Sequence, residues 1–103
     1  MFREIDKMKE VMNILDKFKI RDIGVVISGV NPEFDTLAKE KIKKLIGKSI
    51  IIRKPSGSET KVTVKGVDVA HSLLGKSNIS IQLGDTIDLE DLEVNSTVYG
   101  TGS

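Results

Sequence analysis

The segment from Ala70 to Ser77, AHSLLGKS, has the residue types of a phosphate-binding loop. A small residue and four free positions precede Gly-Lys-Ser, the pattern in which backbone amides at a helix N-terminus hold nucleotide phosphates. The residues after Ser77 indicate a strand, because Ile79, Ile81 and Leu83 alternate with polar residues. The helix that the chemistry requires is missing. We therefore interpret this segment as a surface loop between two strands, not as a nucleotide site.

Other reactive side chains are scarce. His71 is the one histidine, and no Ser, Cys or Asp stands in a recognisable catalytic arrangement with it. The absence of cysteine excludes a disulfide scaffold, a thiolate metal site and a cysteine nucleophile. The acids between 85 and 93 lack the spacing of a calcium loop. We predict a protein that is not an enzyme, without catalytic or metal-binding residues and without a cofactor. A catalytic site around His71 is the minor alternative.

The charges are unevenly distributed along the chain, although the net charge is only +1. Residues 36–54 contain seven basic residues and one acid, whereas residues 84–103 contain five acids and no basic residue. Two solvated faces are the ordinary explanation, and steering of a charged partner is the more specific one. The candidate partner-binding residues are Lys39, Lys41, Lys43, Lys44, Lys48, Arg53 and Lys54.

Residues 4–19 are predicted to form an amphipathic helix. Their apolar residues recur at steps of three and four, and neither Gly nor Pro interrupts them. The apolar stripe must be buried, either against its own domain or against a second copy or partner. A homodimer through helix 4–19 is therefore one expectation. The stripe consists of Ile5, Met8, Val11, Met12, Ile14, Leu15 and Phe18.

A second helix is predicted within a run of strands. Asn31-Pro32-Glu33 resembles a helix start, with Asp35 as a rival cap, and Gly47 is a C-terminal stop, so we place this helix at 33–46. A bulge at Gly66 would bring the valines at 62, 64, 67 and 69 to one side. One acidic helical turn is expected at 88–92. Strands are predicted at 23–30, 50–53, 61–64, 67–69, 79–83 and 96–99.

The order of these strands and their residue patterns resemble those of the second domain of translational GTPases such as elongation factor Tu. The likeness lies in DIGVVISGV, SIIIRKPSGSE, TKVTVKGVDVAHSLLGKS and NISIQLGDTIDLEDLEVNSTVYG. The resemblance implies a small closed barrel of about six strands. The GTPase domain is absent from this chain, and neither predicted helix has a counterpart in the family. No tRNA-contacting residue of the family can be matched here, and fold alone does not fix function.

Together these features predict a mainly β protein of the α+β class: a small bulged β-barrel with an N-terminal helix and one inserted helix. We divide it into an N-terminal helical segment at 1–22, a barrel at 23–100 with the inserted helix 33–46, and a flexible tail at 101–103. No stretch approaches the roughly 18 apolar residues of a membrane span, and the N-terminus mixes charges with apolar residues, unlike a signal peptide. We therefore expect a cytoplasmic location and no membrane contact.

The expected function is that of a non-enzymatic module that binds another protein. It would act as an adaptor or as an inhibitor, for instance a toxin-neutralising immunity protein. The alternative is an RNA-associated or translation-associated protein that uses the basic 39–54 face on phosphates. Single-strand readers usually display aromatic platforms, and the predicted strands carry only Tyr99. Protein is therefore the first expectation and nucleic acid the second.

Overall fold

The computed structural model of the chain describes residues 8–102, which contain eight strands and one α-helix. Two 3₁₀ turns, Pro32–Phe34 and Leu89–Asp91, complete the regular structure of this range. The helix has eight residues, and no helix in the described range is long and apolar enough to cross a membrane. The elements are β1 (Lys9–Asn13), β2 (Asp16–Ile20), β3 (Gly24–Val30), α1 (Lys39–Ile46), β4 (Ser49–Arg53), β5 (Glu59–Thr63), β6 (Gly66–His71), β7 (Ser77–Gly84) and β8 (Thr97–Gly100).

The strands form two antiparallel sheets of four strands each. Sheet A has the order β1-β8-β4-β5, and sheet B has the order β2-β3-β7-β6. Every strand except β2 places residues in a shared apolar core, where Ile27 and Ile81 from sheet B and Ile50 and Val98 from sheet A are fully buried. Ile42 and Ile46 on α1 join the same core. Each sheet therefore has an inner face in this core, and Val26 of sheet B and Ile51 of sheet A are buried outside it.

The predicted closed barrel of about six strands is wrong. A barrel needs one continuous ladder of paired strands, whereas the chain here passes from one sheet to the other after Asn13 and after Thr63. At these corners each connecting residue bonds to one sheet only: Leu15 N donates to Ser28 O at 2.8 Å and Lys65 N to Gln82 O at 2.7 Å, both in sheet B, whereas Val64 N donates to Lys48 O at 2.9 Å beside sheet A. The ladder is broken at both corners, so the domain is a pair of sheets.

The predicted helix at 4–19 is also wrong wherever the structure describes it; residues 4–7 lie outside the described range. β1 and β2 occupy this segment. A register shift between Glu10 and Met12 in β1 interrupts the alternation, so the adjacent residues Val11 and Met12 are both buried. With Ile14, they produce the apolar spacing of a helix. The homodimer proposed through this helix loses its basis.

The inserted helix 33–46 is divided into two pieces. The Asn31 side chain caps the first turn, since its Oδ1 accepts from Glu33 N at 3.0 Å, but this 3₁₀ turn ends at Phe34. Ala38 has extended backbone, and α1 begins at Lys39. The stop at Gly47 is confirmed: its φ is +78°, and its N–H donates to Lys43 O at 2.9 Å. Residues 8–102 therefore contain one α-helix, where the sequence predicted the longer inserted helix and part of a second one.

The four valines around Gly66 reach the core by another route than a bulge. Val62 and Val69 are buried, and Val64 and Val67 pack against the core. β5 ends at Thr63 in sheet A and β6 begins at Gly66 in sheet B. The apolar valines change from even to odd positions because the chain crosses from sheet A to sheet B between them. The predicted core-facing orientation is confirmed, and a bulge within one strand is wrong.

α1 packs directly against β8 at Gly100. A Cβ atom at this position would overlap the Leu45 carbonyl oxygen and lie 2.8 Å from Ile46 Cα. The Thr101 N–H donates to Ile46 O at 3.0 Å, which fixes the C-terminal end of the helix beside the strand. Glycine at position 100 therefore allows the helix to sit where it does.

We expect Gly100→Ala to destabilise the domain, because backbone atoms of α1 cannot move aside as a side chain can. The expected loss is about 1–3 kcal/mol of unfolding free energy, or about 4–8 °C of melting temperature per kcal/mol in a domain of this size. Gly66→Ala is the matched control, since its Cβ would meet the flexible end of Gln82, with Oε1 at 2.9 Å. Equal melting temperatures for the two variants, measured by circular dichroism, would contradict the close packing of α1 against Gly100.

Candidate interaction site

The seven predicted basic residues do not form one face. Ile42 and Ile46 are buried, so Lys41, Lys43 and Lys44 lie on the exposed side of α1. Lys48 follows the helix directly and is also exposed. Arg53 and Lys54 come at the far end of β4, about 17 Å away at the rise of an extended strand. The structure therefore divides the set between the two ends of β4.

Two members of the set are paired with acids. Lys39 Nζ lies 2.9 Å from Asp68 Oδ1 on β6, and Arg53 Nε lies 3.0 Å from Glu59 Oε2 on β5. Lys54 lines a surface depression that it shares with three acids, among them Asp85 and Asp88. The remaining four have no ion pair with an acid among residues 8–102. We call these four the lysine cluster: Lys41, Lys43, Lys44 and Lys48.

The contact between Lys39 and Asp68 shifts the pKa of both side chains. The hydrogen bond from Lys39 and its positive charge hold the pKa of the Asp68 carboxyl below its ordinary value. The same contact raises the pKa of Lys39. The charge of Lys43 adds a smaller downward contribution to the pKa of Asp68. The pair is open to water, so it contributes little to stability. Its main effect is to neutralise one lysine of the predicted face.

We expect Lys39→Gln to return the pKa of Asp68 towards its ordinary value. Because the folded-state pKa is lowered, the stabilisation by this pair is present above the unfolded-state pKa and is lost as pH falls through the folded-state pKa. A carboxyl NMR titration of Asp68 measures the shift directly. Lys41→Gln is the control, because Lys41 has no acidic partner in the described chain. An unchanged Asp68 titration in Lys39→Gln would contradict the pair.

The acidic segment forms the helical turn that the sequence predicts, at Leu89–Asp91. Lys17 on β2 holds this turn in place, because its Nζ donates to Leu89 O at 2.9 Å and to Leu92 O at 2.6 Å. Within residues 8–102, no three acidic or histidine side chains are grouped in a way that could hold a metal ion. The acidic turn thus has lysines beside it, which partly offset the charge asymmetry seen in the sequence.

His71 and Ser77 form a cross-strand pair at the base of the β6–β7 hairpin. His71 Nδ1 and Ser77 Oγ are hydrogen-bonded at 3.0 Å, and Ser77 N–H donates to Asp35 Oδ1 at 2.8 Å. The Ser77 side chain is fully buried. A serine nucleophile must reach its substrate, so this geometry favours a structural role. The hydrogen bonds among these three residues connect the base of the hairpin to the segment that precedes α1.

The phosphate-loop-like segment is the tip of this hairpin. Ser72 N–H donates to Lys76 O at 2.8 Å, Gly75 N–H donates to Ser72 O at 3.0 Å, and Gly75 has φ +79°. The predicted loop between two strands is confirmed, and the segment leads into β7 where a phosphate loop would lead into a helix. The tip exposes two consecutive leucines: Leu73 at 107% and Leu74 at 85% of full exposure.

An apolar groove lies beside the hairpin on the outer face of sheet B. Its cavity volume is about 440 Å³, and its apolar walls come from Leu15, Val30 and Ala70. Lys76 is the one formally charged residue in its lining. We call the tip leucines and this groove the hairpin site. Its residues are Leu73, Leu74, Leu15, Val30, Ala70 and Lys76.

The hairpin site was not predicted from the sequence, in which the segment was interpreted only as a possible phosphate-binding loop or an ordinary surface loop. A usable signal was present: a hairpin turn favours polar residues and glycine, and two adjacent leucines there are unusual. Exposed apolar residues that form a patch mark interaction surfaces more often than isolated ones do.

No protein-family model matches the chain, and no curated protein matches it. The resemblance to the second domain of elongation factor Tu therefore stays a hypothesis.

Proposed function

We propose that this protein is a non-enzymatic β-sheet module that binds another protein through the hairpin site, as an adaptor or an inhibitor. The observation that carries the proposal is the full exposure of Leu73 and Leu74 on a hairpin whose base is hydrogen-bonded. The groove at Leu15 and Val30 extends this apolar surface on the same side of the molecule.

Burial of these leucines against a partner would be energetically favourable. Removing a leucine side chain from water contributes about 1.5–3 kcal/mol. The buried hydroxyl of Ser77 and its bond to His71 limit the movement of the hairpin base, so less entropy is lost when a partner binds. Apolar anchors on a rigid support are typical of the few interface residues that dominate affinity.

We expect the double substitution of Leu73→Ser with Leu74→Ser to remove partner binding without unfolding the domain. The leucines make no buried contact in the free protein, so the unfolding free energy should change by less than about 0.5 kcal/mol. The measurement is affinity capture from the protein's own cell extract after RNase treatment, with the captured proteins quantified. A partner held at a stoichiometric ratio by the wild type should fall at least tenfold with the variant.

Ile20→Ser with Ile23→Ser is the matched control. Both isoleucines are partly exposed and lie near the β2–β3 turn, at the opposite end of sheet B from the hairpin tip. This variant makes the same two changes from an apolar residue to serine at less exposed positions and should retain the partner. Equal capture by wild type and both variants would contradict the proposal, as would equal loss with both variants.

An RNA-associated role is the second candidate function. It is supported by the lysine cluster, whose four side chains have no acidic partner among the described residues. The basic surface predicted from the sequence is reduced by three residues that each lie beside an acid: Lys39, Arg53 and Lys54. What remains is a smaller basic surface at one end of the domain.

A further inference from the structure

We infer that Lys76 determines which segment of a partner the hairpin site accepts: an aliphatic peptide segment that carries a carboxylate beside its apolar residues. The inference rests on the proposed function, because it assigns the chemistry of the partner at the same site. Three features of the site support it: the position of Lys76 between the two apolar surfaces, the lack of a counter-charge in the groove, and the polar floor of the groove.

Lys76 lies on the same face of sheet B as the groove. Asn78 pairs with Ala70 on β6 and with Val30 on β3, so these three residues form one row across the sheet. The hydrogen bond from Ser72 N–H to Lys76 O continues the β6–β7 ladder beyond this row. Because side chains alternate along a strand, Lys76, two residues before Asn78, points to the same side. The Lys76 N–H also donates to Ser72 Oγ at 3.2 Å, which positions its backbone.

The tip leucines lie directly beyond Lys76. Gly75 N–H donates to Ser72 O at 3.0 Å, which makes Leu73 and Leu74 the two central residues of a turn. Lys76 therefore lies between two apolar surfaces, the tip and the groove. A partner segment that covers both surfaces has to cover the ammonium group as well. Removing this charge from water without a counter-charge would oppose binding.

No acid of the described chain neutralises Lys76. The groove lining contains neither Asp nor Glu, and no ion pair within residues 8–102 involves Lys76. Two acids adjoin the site, and each holds a backbone N–H. Asp16 Oδ1 accepts from Lys17 N–H at 2.8 Å. Asp35 Oδ1 accepts from Ser77 N–H at 2.8 Å. The counter-charge for Lys76 therefore has to come from the partner.

The floor of the groove suits a peptide better than a purely apolar ligand. Ser28 and Asn78 line it together with the apolar walls, and neither side chain has a hydrogen-bond partner within residues 8–102. The N–H and C=O groups of a peptide can pair with these side chains, whereas a hydrocarbon would leave them buried without a partner. The occupant is therefore a peptide segment, with aliphatic side chains on the apolar surfaces and a carboxylate at Lys76.

Selection from a random-peptide library displayed on phage tests the inference directly. The wild-type domain is the bait, after removal of peptides that bind the Leu73→Ser, Leu74→Ser double variant. We expect the retained peptides to be enriched in aliphatic residues with Asp or Glu beside them. With Lys76→Glu as the bait, Lys or Arg should replace these acids. Lys61→Glu, on β5 of sheet A, is the matched control and should retain the same peptides as the wild type.

The possible outcomes separate this inference from the proposed function. Aliphatic peptides without enriched acids would overturn the role of Lys76 and leave the hairpin site as an apolar binding surface. Retention of the same peptides by the wild type and by Lys76→Glu would have the same meaning. If the wild type retained no peptide beyond those that bind the double serine variant, both the inference and the proposed function would fail.

The affinity of one selected peptide gives the size of the effect. Lys76→Gln should weaken its binding about 3- to 10-fold in anisotropy titrations, as expected for an ion pair partly shielded from water. Replacing the acid of the peptide by its amide should cause an equal loss, and the two changes together should cause no further loss. Lys61→Gln should keep the wild-type affinity. Additive losses from the two changes would show that the acid does not pair with Lys76 and would overturn the inference.

Discussion

The close contact between α1 and Gly100 is the constraint on which the placement of α1 and of its exposed lysines depends. A helix can approach a strand this closely only where the strand has no side chain, and Gly100 leaves room for the Leu45 carbonyl. The hydrogen bond from Thr101 N–H to Ile46 O then fixes the helix end against the last residues of sheet A. Because α1 lies against the core side of β8, this contact also determines which side of the helix is exposed and carries its lysines.

The two sheets share one core and present different outer faces. Sheet B ends in a hairpin whose tip is apolar, and its base is fastened by His71, Ser77 and Asp35. The outer face of sheet A is polar around a single aromatic ring.

Several strands that follow β2 were the most predictable part of the fold. β3, β4, β7 and β8 all have β-branched or alternating residues, and each lies close to its predicted place. β1 and β2 were not predictable from spacing, because the bulge near Met12 buries adjacent residues and imitates a helix. Local patterns also do not report which strands pair, so two sheets could not be distinguished from a closed barrel.

The candidate sites show the same division between local and non-local information. A turn at the GKS segment was evident from the alternation that follows it, but the exposure of Leu73 and Leu74 depends on the surrounding structure. The basic residues were visible as a cluster in sequence, whereas their partners Asp68 and Glu59 lie on other strands. The pairing of His71 with Ser77 also depends on register, which no single segment contains.

The strand order of sheet A has a consequence for how the protein is made. β8 lies between β1 and β4, so the last strand of the described chain is central in the sheet and joins it to the first. During synthesis, β1 has no neighbour in its own sheet until residue 100 has left the ribosome. Contacts between such distant segments slow folding, and strand edges left unpaired in the meantime are prone to aggregation. Sheet B can pair earlier, since β2, β3, β6 and β7 are complete by Gly84, and we expect it to fold first as the chain emerges.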